Sequence, residues 1–211
     1  MPAIPHLGKL RIIKEIFMPR EDWQKNTLEN IFTPPGLWPE GHISTVLDVG
    51  CGLSFKTQYI KADIRVGLDV YRPYLHKIDA TVPYICINAD ASQIDSLFLE
   101  KSFDIVTLLD IVEHLEKPDA LELIGKAGKL ARRAVVIETP LGYLPQNMDI
   151  LGLGGDHFQT HRCGFEAGEL EAMGFEIVIR PYELSNVKRH TSETSPASIQ
   201  MINAIKRYDR G

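Results

Sequence analysis

From residue 45 onward, short apolar runs alternate with segments of helical periodicity. The runs at 45–49, 64–68, 84–87, 103–109 and 134–138 are nearly unbroken by polar residues. Strands covered on both faces have this pattern, whereas a strand with one wet face alternates apolar and polar positions. Two more runs, at 175–179 and 198–205, bring the strands to seven. Between the fourth and fifth runs, 118–130 predicts a helix, with Pro118 near its start, where a missing N–H costs little. Residues 166–173 predict another, ended by Gly174, and a helix is expected to begin near Phe55. Strands alternating with helices predict an α/β fold with a doubly wound, mostly parallel seven-stranded sheet. Residues 1–44 have a different pattern. A basic-apolar stretch at 7–18 is stopped by Pro19, a short helix is predicted at 21–32, and a loop follows with Pro34, Pro35, Gly36, Pro39 and Gly41. We divide the chain into an N-terminal helical cap, 1–44, and a main domain, 45–211.

An acid that closes an apolar run is out of place in a core. In a parallel sheet it faces the crevice at the carboxyl edge, where ligands bind. Val46-Leu47-Asp48-Val49 runs straight into Gly50-Cys51-Gly52-Leu53-Ser54, a strand followed by a glycine turn. Glycines let the backbone turn tightly and approach a ligand closely; a tight turn with no ligand is the plainer explanation. Asp69 ends the second run 21 residues after Asp48, where an acid can accept from ribose hydroxyls; it could equally be a surface turn residue. Asp90 ends the third run and is also a good helix cap for the segment from Ala91. Asp110 follows the fourth, in Leu108-Leu109-Asp110-Ile111-Val112-Glu113-His114-Leu115. A nicotinamide dinucleotide site would need a third small residue where Phe55 stands, so the glycine turn fits that ligand poorly.

The runs VLDVGCG, VGLD, NADA and FDIVTLLDIVEHL together resemble the class I S-adenosylmethionine-dependent methyltransferases, in particular the group with a DxxEHL segment after the fourth strand. The likeness covers about 45–180 and includes Gln159-Thr160-His161-Arg162-Cys163-Gly164-Phe165 before the sixth strand. It implies a Rossmann-like methyltransferase fold with a final antiparallel hairpin, S-adenosylmethionine as cofactor, and a cofactor site of Asp48, Gly50, Cys51, Gly52, Asp69, Val70, Asp90, Ala91, Asp110 and Ile111. Within it Asp48 would lie near the methionine amino group. Asp69 would hold the ribose hydroxyls, Asp90 the adenine amino group, and Asp110 and Ile111 the methionine side. The family's turn often has a third glycine where this chain has Ser54.

Catalytic groups are less marked. Methyl transfer from a sulfonium needs alignment first, and a general base only if the acceptor must lose a proton. Glu113 and His114 stand just past the cofactor edge; a helix-dipole role and simple packing are their structural alternatives. His157 and His161 form a second candidate pair. Their spacing could serve a metal on a helix, but glycines flank them and no third ligand is evident, so no metal site is expected. The long stretch from Leu141 to Arg162 is rich in glycine and apolar residues and is expected to act as a lid over the acceptor.

Composition narrows the partners. Hydrophobic residues make up 44% and charged residues 24%, enough for a substantial core. A net charge of −5 disfavours a dedicated nucleic-acid binder, and no apolar run approaches a membrane span. Three scattered cysteines, Cys51, Cys86 and Cys163, fit a reducing compartment and a cytoplasmic protein. The leading expectation is transfer to a small-molecule acceptor, with a homodimer allowed. An RNA or protein acceptor and a non-catalytic binding module that keeps the fold are the rivals.

Overall fold

The computed structural model describes residues 41–54, 56–79, 81, 83–182 and 199–208. The strands are β1 (Thr45–Val49), β2 (Ile64–Asp69), β3 (Ile85–Asn88), β4 (Phe103–Leu109), β5 (Ala131–Pro140), β6 (Glu176–Tyr182) and β7 (Ile199–Arg207). The helices are α1 (Arg72–Leu75), α2 (Ile94–Leu97), α3 (Lys117–Leu130), α4 (Asp156–Gln159) and α5 (Ala167–Ala172). The sheet order is β3-β2-β1-β4-β5-β7-β6. The pairs among the first five strands are parallel, and β7 runs antiparallel to both β5 and β6. The expected mostly parallel seven-stranded sheet and closing antiparallel hairpin are both present.

β4 shows why the sequence forms this sheet. All seven of its residues are buried, because its side chains face two separate cores. Val106 and Leu108 join the larger core with Leu47, Val49, Val135, Ile137 and the inner face of α3. Ile105 and Leu109 join the smaller one with Val46, Ala134 and Val136. α3 follows from its own pattern: Ala120, Leu123, Ile124, Ala127 and Leu130 recur at helical spacing and are buried.

Several boundaries depart from the sequence expectations. Among the described residues no α-helix follows the glycine turn before β2. A single 3-10 turn, Thr57–Tyr59, carries the chain on toward β2, because Thr57 turns inward to bond Asp48. β5 extends well beyond 134–138 at both ends, held by β4 on one side and β7 on the other. β3 begins one residue later than expected, since Tyr84 leaves the ladder to reach Asp48. The helical cap at 1–44 falls almost wholly outside the described residues, as does its helix at 21–32. No helix among the described residues is long and apolar enough to cross a membrane.

Candidate functional site

The site lies along the carboxyl edge of the sheet, where β1, β2, β4 and β5 end side by side. At the end of β1 the backbone enters the left-handed region at every second residue: Gly50 (φ 69°), Gly52 (φ 51°) and Ser54 (φ 55°). The third position, where the family often has glycine, is therefore a buried serine in a glycine conformation, a strain of about 1–2 kcal/mol. The turn is fastened to β2, with Gly50 N and Cys51 N donating to the Leu68 carbonyl at 2.8 and 3.0 Å. A Cβ on Gly50 would lie 2.4 Å from Cδ1 of Ile111, so Gly50 makes room for the β4 side of the site. A Cβ on Gly52 would meet nothing within 4 Å. That glycine faces open space, as a turn cradling a ligand should.

Asp69 is buried at the end of β2. One carboxylate oxygen accepts from Gly52 N at 2.8 Å and the other from Tyr71 N at 2.7 Å. Burial raises its pKa, and these two amides oppose the shift. Each oxygen keeps acceptor capacity for a hydroxyl donor. Asp48 lies deeper, 3% exposed. Its oxygens accept from Thr57 Oγ1 (2.5 Å), Thr107 Oγ1 (2.8 Å) and Tyr84 Oη (2.9 Å). Burial pushes its carboxyl up to about 6 despite these three donors. Asp48 thus sits beneath the glycine turn and anchors it through Thr57. Cys51 is buried beside it, its thiol pushed far up by burial. Asp90 is exposed and caps the next turn, accepting from Ser92 N at 2.8 Å. It does the capping job weighed for it, with Ala91 opening that turn. Val70 is partly exposed nearby, its carbonyl accepting from the Asn88 side chain at 2.9 Å.

The β4–β5 half of the edge is more highly charged. Asp110, itself left-handed (φ 53°), and the buried Glu138 at the end of β5 both pair with the ammonium of Lys56. Burial opposes the charge on Lys56, but the two carboxylates outweigh it and hold the ammonium well above its ordinary range. A 3-10 turn, Val112–His114, follows Asp110 and carries Glu113 and His114 into the interior. Glu113 Oε2 accepts from Thr139 Oγ1 at 3.0 Å. Burial, and then the charge of Asp110, push its carboxyl up to about 8. Burial and the neighbouring His161 push His114 down to about 4, and burial lowers His161 as well.

The structure divides the four expected catalytic residues. His114 and His161 meet with ring centroids 4.8 Å apart, and Glu113 completes a cluster whose ligand atoms lie within 4.8 Å of one another. His157 is outside it, exposed on α4 and edge-on to Phe158. The partner of His161 is thus His114, 47 residues earlier, and not His157; the third ligand that the local sequence lacked comes from the end of β4. Sequence reasoning also missed Lys56, Glu138 and Tyr84. Glu138 ends a fifth apolar run with an acid, so the rule that selected Asp48, Asp69, Asp90 and Asp110 selects it too.

The stretch expected to be a lid is well tied down. Asp149 gathers Leu151 N, Leu153 N and Gly155 N at 2.7–3.0 Å. Tyr71, just past β2, donates to the Leu153 carbonyl at 2.8 Å, and its ring packs on Phe158. A segment that leaves β5 therefore reaches the end of β2, crossing the edge where β4 and β1 end.

A family model described as a methyltransferase domain matches residues 47–127. No curated protein sequence matches the chain. Among solved structures, a SAM-dependent methyltransferase from Archaeoglobus fulgidus superposes with a TM-score of 0.56 at 19% identity, over 93% of this chain and 99% of that one. The N-methyltransferase NodS from Bradyrhizobium japonicum, in complex with S-adenosylhomocysteine, gives 0.57 at 14% identity, over 89% and 86%. Magnesium protoporphyrin IX methyltransferase from Synechocystis, with bound SAM, gives 0.53 at 14%, over 98% and 86%. The matched domain contains the glycine turn, Asp69, Asp90 and the Asp110–His114 segment, on the sheet that these structures share. Residues 47–127 therefore match a methyltransferase domain, and the chain shares the fold of these S-adenosylmethionine-dependent methyltransferases.

Proposed function

We propose that the chain transfers a methyl group to a small-molecule acceptor enclosed between the Asp110–His114 segment and the 141–162 stretch. The observation that carries this reading is the crossing of that stretch from β5 to the end of β2. A stretch tied down across the carboxyl edge leaves less room for a polymer than for a small molecule. One of the solved structures named above, a magnesium protoporphyrin IX methyltransferase, offers a parallel.

The residues fit the donor. Gly52 opens onto free space, Asp69 keeps acceptor capacity for paired hydroxyls, and carboxylates gather along the edge. When bound, the donor supplies a methyl group on a positively charged sulfur. The chain's own residues do the remaining work. The glycine turn and Asp69 position the donor. Asp110 and Glu138 supply negative potential, tempered by Lys56. The crossing stretch excludes water, and alignment supplies much of the rate. His114 and His161, held neutral by burial, each keep one ring nitrogen as a lone-pair donor facing the site.

The test is calorimetric titration with S-adenosylhomocysteine, followed by assay of its release from S-adenosylmethionine with phenolic, amine and carboxylate acceptors. Micromolar binding and turnover with one acceptor class are expected. Binding without turnover on any of them, together with methylation of bulk RNA or protein, would overturn the small-molecule assignment. Amides of 149–156 should gain hydrogen-exchange protection when S-adenosylhomocysteine binds; unchanged exchange would make the stretch scaffold.

A further inference from the structure

Glu113, His114 and His161 converge in the interior although 47 residues separate the two histidines. Each offers one ligand atom, and these atoms lie within 4.8 Å of one another. All three residues are buried, at 2%, 8% and 6% exposure. Yet none of the three hydrogen-bonds to another. Glu113 Oε2 takes the Thr139 hydroxyl, His114 Nδ1 approaches the Thr160 carbonyl at 3.4 Å, and His161 Nδ1 meets the Leu144 carbonyl at 2.6 Å. Three polar groups brought together inside a protein normally satisfy one another. Here each uses an outward partner instead.

That arrangement is how metal ligands are supported. A ligating histidine commonly donates its second ring N–H to a backbone carbonyl, which fixes the tautomer and leaves the other nitrogen's lone pair for the ion. Both histidines have such a carbonyl on Nδ1, which leaves Nε2 as the ligand. The backbone around them is also braced. Arg162 N and Cys163 N donate to the Glu113 carbonyl at 2.8 and 3.2 Å. The Arg162 guanidinium reaches the carbonyls of His114 (2.5 Å), Thr160 (3.1 Å) and His157 (2.6 Å). Arg162 therefore holds the segment bearing His161 against the turn bearing Glu113 and His114.

Charge points the same way. Among the described residues no cation pairs with Glu113, since Lys56 is committed to Asp110 and Glu138. A buried carboxylate needs a countercharge or a proton. We propose that Glu113, His114 and His161 bind one first-row divalent transition-metal ion of the zinc class. Two imidazoles and one carboxylate suit such an ion, whereas magnesium prefers an all-oxygen shell. Ligands about 2.1 Å from a tetrahedral ion lie about 3.4 Å apart, so side-chain movements of roughly 1 Å close the set. Three protein ligands leave a further position open, for water or for an oxygen or nitrogen of the acceptor. Metal binding itself does not depend on the methyl-transfer reading; only the acceptor's place as the further ligand does.

The experiment uses the full chain after treatment with a chelator. Co2+ should bind at one equivalent with visible d–d absorption, be displaced by stoichiometric Zn2+, and resist a thousandfold excess of Mg2+. His161→Ala and Glu113→Gln should each weaken Co2+ binding at least a hundredfold. His157→Ala should leave it unchanged, and S-adenosylhomocysteine affinity should stay within about threefold in all three. A second measurement needs no variant: in the wild-type protein, Zn2+ should shift the histidine ring resonances of His114 and His161 and of no other histidine. Absent d–d bands, binding that survives His161→Ala, or shifts confined to other histidines would each overturn the site. Absence of S-adenosylhomocysteine binding in the wild type would instead count against the methyltransferase reading and leave the metal result standing.

Discussion

At the ends of β1 and β2, Asp48 and Asp69 have their carboxylate oxygens bonded to neutral donors, hydroxyls for one and backbone amides for the other. At the ends of β4 and β5, Asp110 and Glu138 share one lysine, and Glu113 faces two histidines with a single hydroxyl as its donor. The first half is a frame, in which side-chain bonds fix the shape of a glycine turn. The second half holds charge that the fold only partly balances. Neutral hydrogen bonds give shape at little electrostatic cost, whereas grouped buried charges are costly and persist where a ligand or a reaction uses them. On the proposed function, recognition of the donor falls mainly to β1 and β2, and chemistry mainly to β4 and β5.

The sharpest test of the charged half is Lys56→Met. It leaves Asp110 and the buried Glu138 facing each other without their cation, and loss of one partner of a buried pair costs about 3–5 kcal/mol. Urea unfolding should show that loss. A midpoint within experimental error of the wild type would mean that the Lys56–Glu138 pair does not behave as a buried ion pair.

The frame has its own signature in pH. The Asp48 carboxyl lies at about 6 when folded, against 3.8 ordinarily, because burial disfavours its charge. A carboxyl raised on folding makes the native state the better proton binder between those values. Stability from this group is therefore greatest below about pH 4 and falls as pH rises through 6. The change is on the order of 2–3 kcal/mol. Asp48→Asn should remove that slope while keeping one of the two acceptor oxygens that Thr57 and Thr107 use. Parallel stability profiles for the two proteins between pH 4 and 7 would show that Asp48 is not desolvated.

Asp69→Ala should weaken S-adenosylhomocysteine binding about tenfold or more. It removes an acceptor for paired hydroxyls, each charged hydrogen bond being worth about 1.5–3 kcal/mol, and it frees the Gly52 amide that shapes the turn. Unchanged affinity by calorimetry, in a variant that melts normally, would place ribose elsewhere. The smallest effect is expected for His157→Ala, a surface change worth less than about 0.5 kcal/mol in stability and without effect on turnover. A large loss of turnover would bring α4 back into the site.

Much of this was legible before any coordinates. The continuous apolar runs of β1, β4 and β5 declared a sheet covered on both faces, and acids at their ends marked the edge that binds ligands. The missing helix after Ser54 was not legible, because Thr57 is drawn inward by Asp48, a contact made only once β1 is in place. Nor was the pairing of histidines. His157 and His161 are near neighbours in the chain, and spacing alone favoured them. The chain turns between them after α4, sending His157 to solvent and His161 toward Glu113.

Strand periodicity and strand-end chemistry encode the α/β class, the order of the strands along the chain, the glycine turn, and the acids at or just past the ends of β1, β2, β3 and β4. Those are local properties, set by which residues suit a pleated run and which cannot be buried within it. Tertiary structure alone decided that Lys56 lies between Asp110 and Glu138, and that Arg162 braces His161 against His114. It also decided that the segment after β5 crosses to Tyr71. Each of these joins residues many positions apart, and such contacts form only because packing the strands into one sheet brings their ends, and the loops that leave them, to a common edge.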